Sequence, residues 1–230
     1  DIYCHLKHQN YAPSSFFIFY CCQANMTLFA ANPNENLLPY DGIVNDFGQV
    51  FASLAYEPNT LYRHFLTQLP WQHDVVTIFG KTHVTHRQIV WMSENDYHYS
   101  GQRKMATPWT ADVLALKQYI ELLLAEHHMS ANFNACLFNY YPTGDDGMGY
   151  HADNESELGN EPIIASVSLG ATRKFVFKHR ITKEKVEILL QNGQLIVMRG
   201  QTQRHWLHSL PKTKKVTEGR INLTFRHIAN

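Results

Sequence analysis

The sequence lacks net charge, long apolar runs, a cysteine framework and internal repeats. Its 230 residues carry 20 Lys and Arg against 20 Asp and Glu, a formal net charge of zero. Taken whole, that balance argues against a general nucleic-acid binder, which is usually basic. No stretch reaches the roughly 18 uninterrupted apolar residues that a helical membrane span needs. The four cysteines, Cys4, Cys21, Cys22 and Cys136, form no CxxC pair. That excludes a disulfide framework and points to a reducing compartment. Cys4, His5, His8 and the Cys21-Cys22 pair offer metal-binding chemistry, but their spacing fits no common zinc site. With 44% hydrophobic and 17% charged residues the chain is neither disordered nor fibrous. Its length suits one domain, or one domain plus an extension.

The zero conceals a division. Residues 173–226 hold thirteen bases and three acids, a balance of +10 that the remainder cancels. Such asymmetry suggests a polyanionic partner on one face, or a solvated strand surface. The first 25 residues read as an extension, or as sequence upstream of a start at Met26. The short apolar run over 16–22 is a poor secretory signal. We therefore expect a poorly ordered extension over residues 1–40 and a single domain over 41–230. A helix is predicted over 60–69, stopped by Pro70, and a stronger one from Thr110 to about 128. In the second, Val113, Leu116, Ile120, Leu123 and Leu124 form an apolar stripe. From Ala135 onward the pattern is of strands: 135–141, 163–169, 174–179, 186–190, 194–198 and 221–227. Gln191-Asn192-Gly193 reads as a hairpin turn between the fourth and fifth. Helices followed by many short antiparallel strands give an α+β, mainly β chain with a barrel or jelly-roll core.

Of the 14 histidines, one alone is followed at i+2 by a carboxylate, in His151-Ala152-Asp153. On extended backbone those two side chains share a face. The glycine-rich turn over 144–149 lets the strand end open onto a site. A second cluster, His205-Trp206-Leu207-His208, follows later. His151, Asp153 and one histidine of that cluster suit the 2-His-1-carboxylate set that covers one face of non-haem Fe(II). Arg220, Asn222, Thr224 and Arg226 share one strand face. Pointing into a barrel, two arginines need anions, and a dicarboxylic acid satisfies both.

These residues carry a resemblance. Residues 77–228 resemble the AlkB family of Fe(II)/2-oxoglutarate-dependent nucleic-acid demethylases, most closely the AlkB homologue two branch. The similarity rests on Asn139-Tyr140-Tyr141, His151-x-Asp153-Asn154-Glu155, the run over 164–171, Arg173-x-Phe175-Val176-Phe177, His205-Trp206-x-His208-Ser209-Leu210-Pro211 and Arg220-x-Asn222-Leu223-Thr224-Phe225-Arg226. It implies a double-stranded β-helix core over about 132–228, with flanking N-terminal helices and a substrate-recognition part over about 71–107. It implies that His151, Asp153 and His208 bind Fe(II), with His205 structural. Asn139, Tyr141, Arg220, Asn222, Thr224 and Arg226 would then hold 2-oxoglutarate, Arg220 at its far carboxylate and Arg226 toward its near one, with O2 as oxidant.

The same resemblance places a base-flipping wedge at Phe79, flanked by Gly80 and Lys81, where an aromatic ring fills the vacated stack. Trp91 stands where the family has a tyrosine lid, and with His151 would sandwich the flipped base. Tyr99 matches the pocket loop. Asn154 replaces an acidic residue, and Glu155 would bond the exocyclic amine of the base. Lys214 and Lys215, after Lys212, match a basic loop that grips phosphates. The implied reaction is oxidative demethylation of N1-methyladenine and N3-methylcytosine in DNA, releasing formaldehyde, with RNA demethylation or another hydroxylation as the alternative. A monomer without a membrane partner is expected, cytoplasmic and nucleoid-associated in a bacterium or nuclear in a eukaryote.

Overall fold

A computed structural model describes residues 31–53, 56–78, 81–94, 97–99 and 102–229. Strand β1 (Ile43–Gln49) is followed by helix α1 (Pro58–Gln68), β2 (Gln72–Ile78), β3 (Lys81–Ser93), β4 (Tyr97–Tyr99), β5 (Gln102–Lys104) and helix α2 (Ala111–Glu126). The second half runs β6 (Ala135–Tyr141), β7 (Met148–His151), β8 (Ile164–Gly170), β9 (Arg173–His179), β10 (Lys185–Leu190), β11 (Gln194–Arg199), a single turn α3 (Thr202–His205), β12 (Trp206–Leu210) and β13 (Arg220–Arg226). Seven strands form one sheet in the order β1-β11-β8-β13-β6-β3-β2, and four form another in the order β10-β9-β12-β7. All their pairings are antiparallel. The mainly-β jelly-roll expectation holds.

The larger sheet is covered on both faces, and the two-residue period of its strands sorts side chains between them. Ile221, Leu223 and Phe225 of β13, Val167 and Leu169 of β8, and Cys136 and Phe138 of β6 pack with the helices. There α1 contributes Leu61 and Phe65, and α2 contributes Val113, Leu116, Ile120 and Leu124. Pro58 opens α1 with its preset φ, and Asp112 sits favourably in the first turn of α2. On the other face Ile164, Ile196 and Met198 meet Phe177, Leu190 and Trp206 of the smaller sheet. Leu137, Asn139 and Tyr141 of β6, Ser166 of β8 and Arg220, Asn222, Thr224 and Arg226 of β13 face the cavity described below.

Two expectations are revised. The turn at Gly193 exists, with φ +83° and the Gln194 amide bonded to the Gln191 carbonyl. Yet β10 pairs with β9 while β11 pairs with β1 and β8, so the chain changes sheets instead of making a hairpin. The Gly193 amide donates to the Ser168 carbonyl and its carbonyl accepts from Val50, which docks the turn on the larger sheet. A second revision concerns order along the chain: β1, β2 and β3 all precede α2, their polar sequences having hidden them. Leu38 is buried with Val44 and Trp206 in the core between the sheets.

Phe65 is fully buried and meets Phe138 edge-on, centroids 5.4 Å apart. Phe65→Ala should lower the unfolding free energy by about 3–5 kcal/mol in urea denaturation. A loss below about 1 kcal/mol would contradict this account of the helix–sheet core.

Candidate active site

Strands β7 and β12 pair so that His151 lies directly opposite His208, their rings 4.3 Å apart. Asp153 follows His151 just past the end of β7. One ligand atom from each of the three lies within 4.8 Å of the others. Spacing alone left His205 and His208 open and the resemblance implied His208, which is the histidine found in this cluster. Each ligand is oriented from behind. His151 Nδ1 lies 2.8 Å from the Gly149 carbonyl, which places its hydrogen there and leaves the Nε2 lone pair free. Gln203 Oε1 accepts from the Asp153 amide at 3.0 Å, and Arg226 Nη2 donates to Asp153 Oδ2 at 3.3 Å. Phe175 stacks on His208.

Protonation suits metal binding. Burial pushes the Asp153 carboxyl up, but Arg226, His208 and His151 outweigh it and hold it below the ordinary range. Burial, reinforced by His151, drives His208 down to about 3 against the opposing pull of Asp153. A carboxylate and a neutral imidazole are the ligating forms.

Beside this triad the inward faces of β13, β8 and β6 form a polar wall. Arg220 is 2% exposed, and its Nη2 donates to Ser168 Oγ at 2.9 Å and Asn222 Oδ1 at 2.8 Å. Asn222 Nδ2 donates to Thr224 Oγ1 at 2.8 Å, and Ser166 Oγ donates to Asn222 Oδ1 at 3.0 Å. Burial pulls the Arg220 guanidinium down to about 10, with Tyr141 opposing and Arg173 reinforcing. The Nε atoms of Arg220 and Arg226 are buried and have no hydrogen-bond partner. A cavity of about 850 Å³, part of it open to solvent, is lined by His151, Asp153 and His208 together with Asn139, Tyr141, Trp91, Arg220, Asn222, Thr224 and Arg226. Two imidazoles and one carboxylate fit Fe(II), and two arginines with unmet donors fit a dicarboxylate.

The other expected residues are placed differently. Lys81, Asn154, Lys214 and Lys215 are exposed and do not line the cavity. Glu155 is half-buried, burial raises its carboxyl, and its Oε2 is buried without a hydrogen-bond partner. Tyr99 ends β4. Phe79 and Gly80 lie outside the described residues.

Sequence reading missed several members. Arg87 forms a buried ion pair with Asp74 and donates to Asn139 Oδ1 at 3.0 Å, so that the Asn139 amide nitrogen is left for the cavity. Its signal was a charge two residues before Ile89 and four before Trp91, in their inward register. Arg173 donates to the carbonyls of Asp146 at 2.8 Å and Pro211 at 2.9 Å. It clamps the turn before β7 to the loop carrying Lys214 and Lys215. Gly144 completes that clamp, since a Cβ there would stand 2.1 Å from the Thr213 carbonyl oxygen.

The low His208 value has a consequence for the metal-free protein. The native ring resists protonation down to about 3, whereas in the unfolded chain it protonates near 6.5. As pH falls through 6.5 the unfolded state therefore gains a proton that the native state refuses. Stability should drop by about 1.4 kcal/mol per pH unit from this residue until pH nears the native value. Urea denaturation over a pH series should show that slope shrinking by one proton in His208→Asn. Parallel curves for parent and variant would contradict it.

The family model for the 2OG-Fe(II) oxygenase superfamily matches residues 52–226. The chain is 37% identical over 163 residues to DNA oxidative demethylase ALKBH2 of Bos taurus, covering 66% of this chain and 57% of that protein. It is 36% identical over 210 residues to DNA oxidative demethylase ALKBH2 of Mus musculus, covering 86% and 85% respectively. The solved structure of OsALKBH1 superimposes with a TM-score of 0.56 at 15% identity, over 83% of this chain and 99% of that one, a likeness of fold. The chain belongs to the AlkB branch of the 2OG-Fe(II) oxygenase superfamily, which uses Fe(II), 2-oxoglutarate and O2.

Proposed function

We propose that this chain oxidatively demethylates alkylated DNA bases, N1-methyladenine and N3-methylcytosine, releasing formaldehyde in the repair of DNA damage. The observation that carries the reading is the His151–Asp153–His208 cluster opening onto the cavity that Arg220 also lines. The naming of relatives as DNA oxidative demethylases supports the choice of substrate. His151, Asp153 and His208 would hold Fe(II), and Asn139, Tyr141, Arg220, Asn222, Thr224 and Arg226 would hold 2-oxoglutarate. Bound there, they supply with O2 the oxidising equivalents for hydroxylating an N-methyl group, the cosubstrate leaving as succinate and CO2.

The protein's own residues do the rest. Ser168 and Asn222 fix the fork of Arg220, so its remaining donors meet a carboxylate without rearranging. Arg226 holds Asp153 and keeps it ionised. Trp91 and His151 line one cavity and would stack on a base, whose π face is available whatever its identity. Glu155 in its ionised form would accept from the exocyclic amine and favour a cationic lesion. Lys81, Lys214 and Lys215 are exposed and would contact phosphates. Phe79 would fill the gap left by the flipped base in a duplex. The partner is alkylated DNA, duplex as well as single-stranded, met in the nucleus or nucleoid by a monomer. Among the described residues no helix is long and apolar enough to cross a membrane.

The test is formaldehyde release from methylated single- and double-stranded DNA and RNA oligonucleotides, with Fe(II), 2-oxoglutarate and ascorbate. DNA substrates should yield formaldehyde, and Asp153→Ala should reduce the rate by on the order of a hundredfold or more. Turnover confined to RNA would replace DNA by RNA as the substrate. Full activity of Asp153→Ala would refute the metal site itself.

A further inference from the structure

A second cluster of metal-ligating side chains lies apart from the catalytic cavity. Asp41, His179 and His205 each present one ligand atom within 4.8 Å of the others, and none of the three lines the cavity. Asp41 precedes β1, His179 ends β9, and His205 ends α3. We propose that these three residues form a second divalent-metal site, for a zinc-type ion, that staples the segment before β1 to the smaller sheet.

The geometry suits an ion better than a hydrogen bond. His179 is 2% exposed, and its buried Nε2 has no hydrogen-bond partner. Asp41 Oδ2 lies 3.4 Å from that atom. Ligands 2.0–2.1 Å from a tetrahedral zinc ion stand about 3.3–3.4 Å apart, and this separation matches one edge of such a site. The Asp41 side chain is about half exposed, which leaves the ion a route in. Its backbone is held at φ +52°, a conformation that aspartate visits more readily than most residues.

The surrounding residues set the tautomers. Tyr40 Oη donates to Glu184 Oε2 at 2.6 Å and lies 2.7 Å from Thr182 Oγ1, so the Thr182 hydroxyl hydrogen is directed to Tyr40. Thr182 Oγ1 can then accept from Nδ1–H of His179, 3.1 Å away, which leaves Nε2 its lone pair. As the structure stands the Thr182 amide N–H donates to Nδ1 at 3.1 Å, so without a metal Nε2 carries the hydrogen and turns it toward Asp41, 3.4 Å away. Metal uptake exchanges the second arrangement for the first. On His205, Gln201 Oε1 lies 3.1 Å from Nε2 and accepts its hydrogen, which frees the other ring nitrogen. Trp206 Nε1 donates to the Tyr40 carbonyl at 3.0 Å and fixes the approach of Asp41. Two imidazoles and a carboxylate with room for water suit Zn(II) and Co(II).

The test is equilibrium dialysis with Co(II) alone on the full chain carrying His151→Ala and Asp153→Ala, which disables the first site. One equivalent should bind, with visible d–d absorption and no thiolate-to-metal charge transfer. Adding Asp41→Asn or His205→Ala should remove that equivalent, and Tyr40→Phe should weaken it about tenfold. Zn(II) should also raise the melting temperature of this background but not of its Asp41→Asn derivative. Failure to bind Co(II) would overturn the proposal. So would binding that survives both Asp41→Asn and His205→Ala, or that carries a thiolate signature from Cys4, Cys21 or Cys22.

Discussion

Arginine buried in a sheet interior must find acceptors, because a desolvated cation without them costs several kcal/mol. Arg220 finds two, Ser168 Oγ and Asn222 Oδ1, and retains a buried Nε that has none. The site follows from that shortfall. The larger sheet has helices against one face and the smaller sheet against the other, and the cavity that Arg220 lines between the sheets is partly open to solvent. Strand alternation then places Asn139, Ser166, Ser168, Asn222 and Thr224 on the same inward side as Arg220. The wall is polar where a jelly roll would otherwise be filled with aliphatic side chains, and the buried Nε atoms of both Arg220 and Arg226 lack acceptors. In the proposed function a carboxylate of 2-oxoglutarate would supply an acceptor there.

The metal triad depends on the same register. His151 and His208 meet because β7 and β12 pair with those residues opposite, and the pairing becomes irregular immediately afterwards. Asp153 is brought in by the chain leaving β7, and Arg226 at the end of β13 holds it. One strand therefore contributes to both halves of the site, Arg220 to the anion wall and Arg226 to the metal carboxylate. Arg173 and Gly144 extend this coupling outward, fixing the turn before β7 against the loop that carries the exposed lysines. The His-Asp-His cluster, the polar wall and the lysine-bearing loop form one connected framework.

Much of this was legible beforehand. The period-2 alternation of residues 220–226 gave both the strand and the face on which its arginines lie. The spacing of His151 and Asp153 gave two ligands on one side of extended backbone. Spacing alone did not choose between His205 and His208, which the family resemblance did, because the choice depends on which residue lies opposite His151 across β7 and β12. Arg87 and Asp74 were missed because a buried ion pair between adjacent strands resembles two solvated charges until the register is known. Gln191-Asn192-Gly193 specified a turn correctly, but local turn chemistry does not say whether the chain re-enters the same sheet. The cluster of Asp41, His179 and His205 is assembled from three distant segments, and no spacing rule joins them.

The central claim is that Arg220 in this wall awaits a carboxylate beside a metal. Calorimetric titration of 2-oxoglutarate into the Mn(II)-loaded protein under anaerobic conditions tests it most directly. The account predicts saturable binding that weakens at least about tenfold in Arg220→Lys, which keeps the charge but loses the planar fork. Equal affinity in parent and variant, or no binding to the parent, would contradict it.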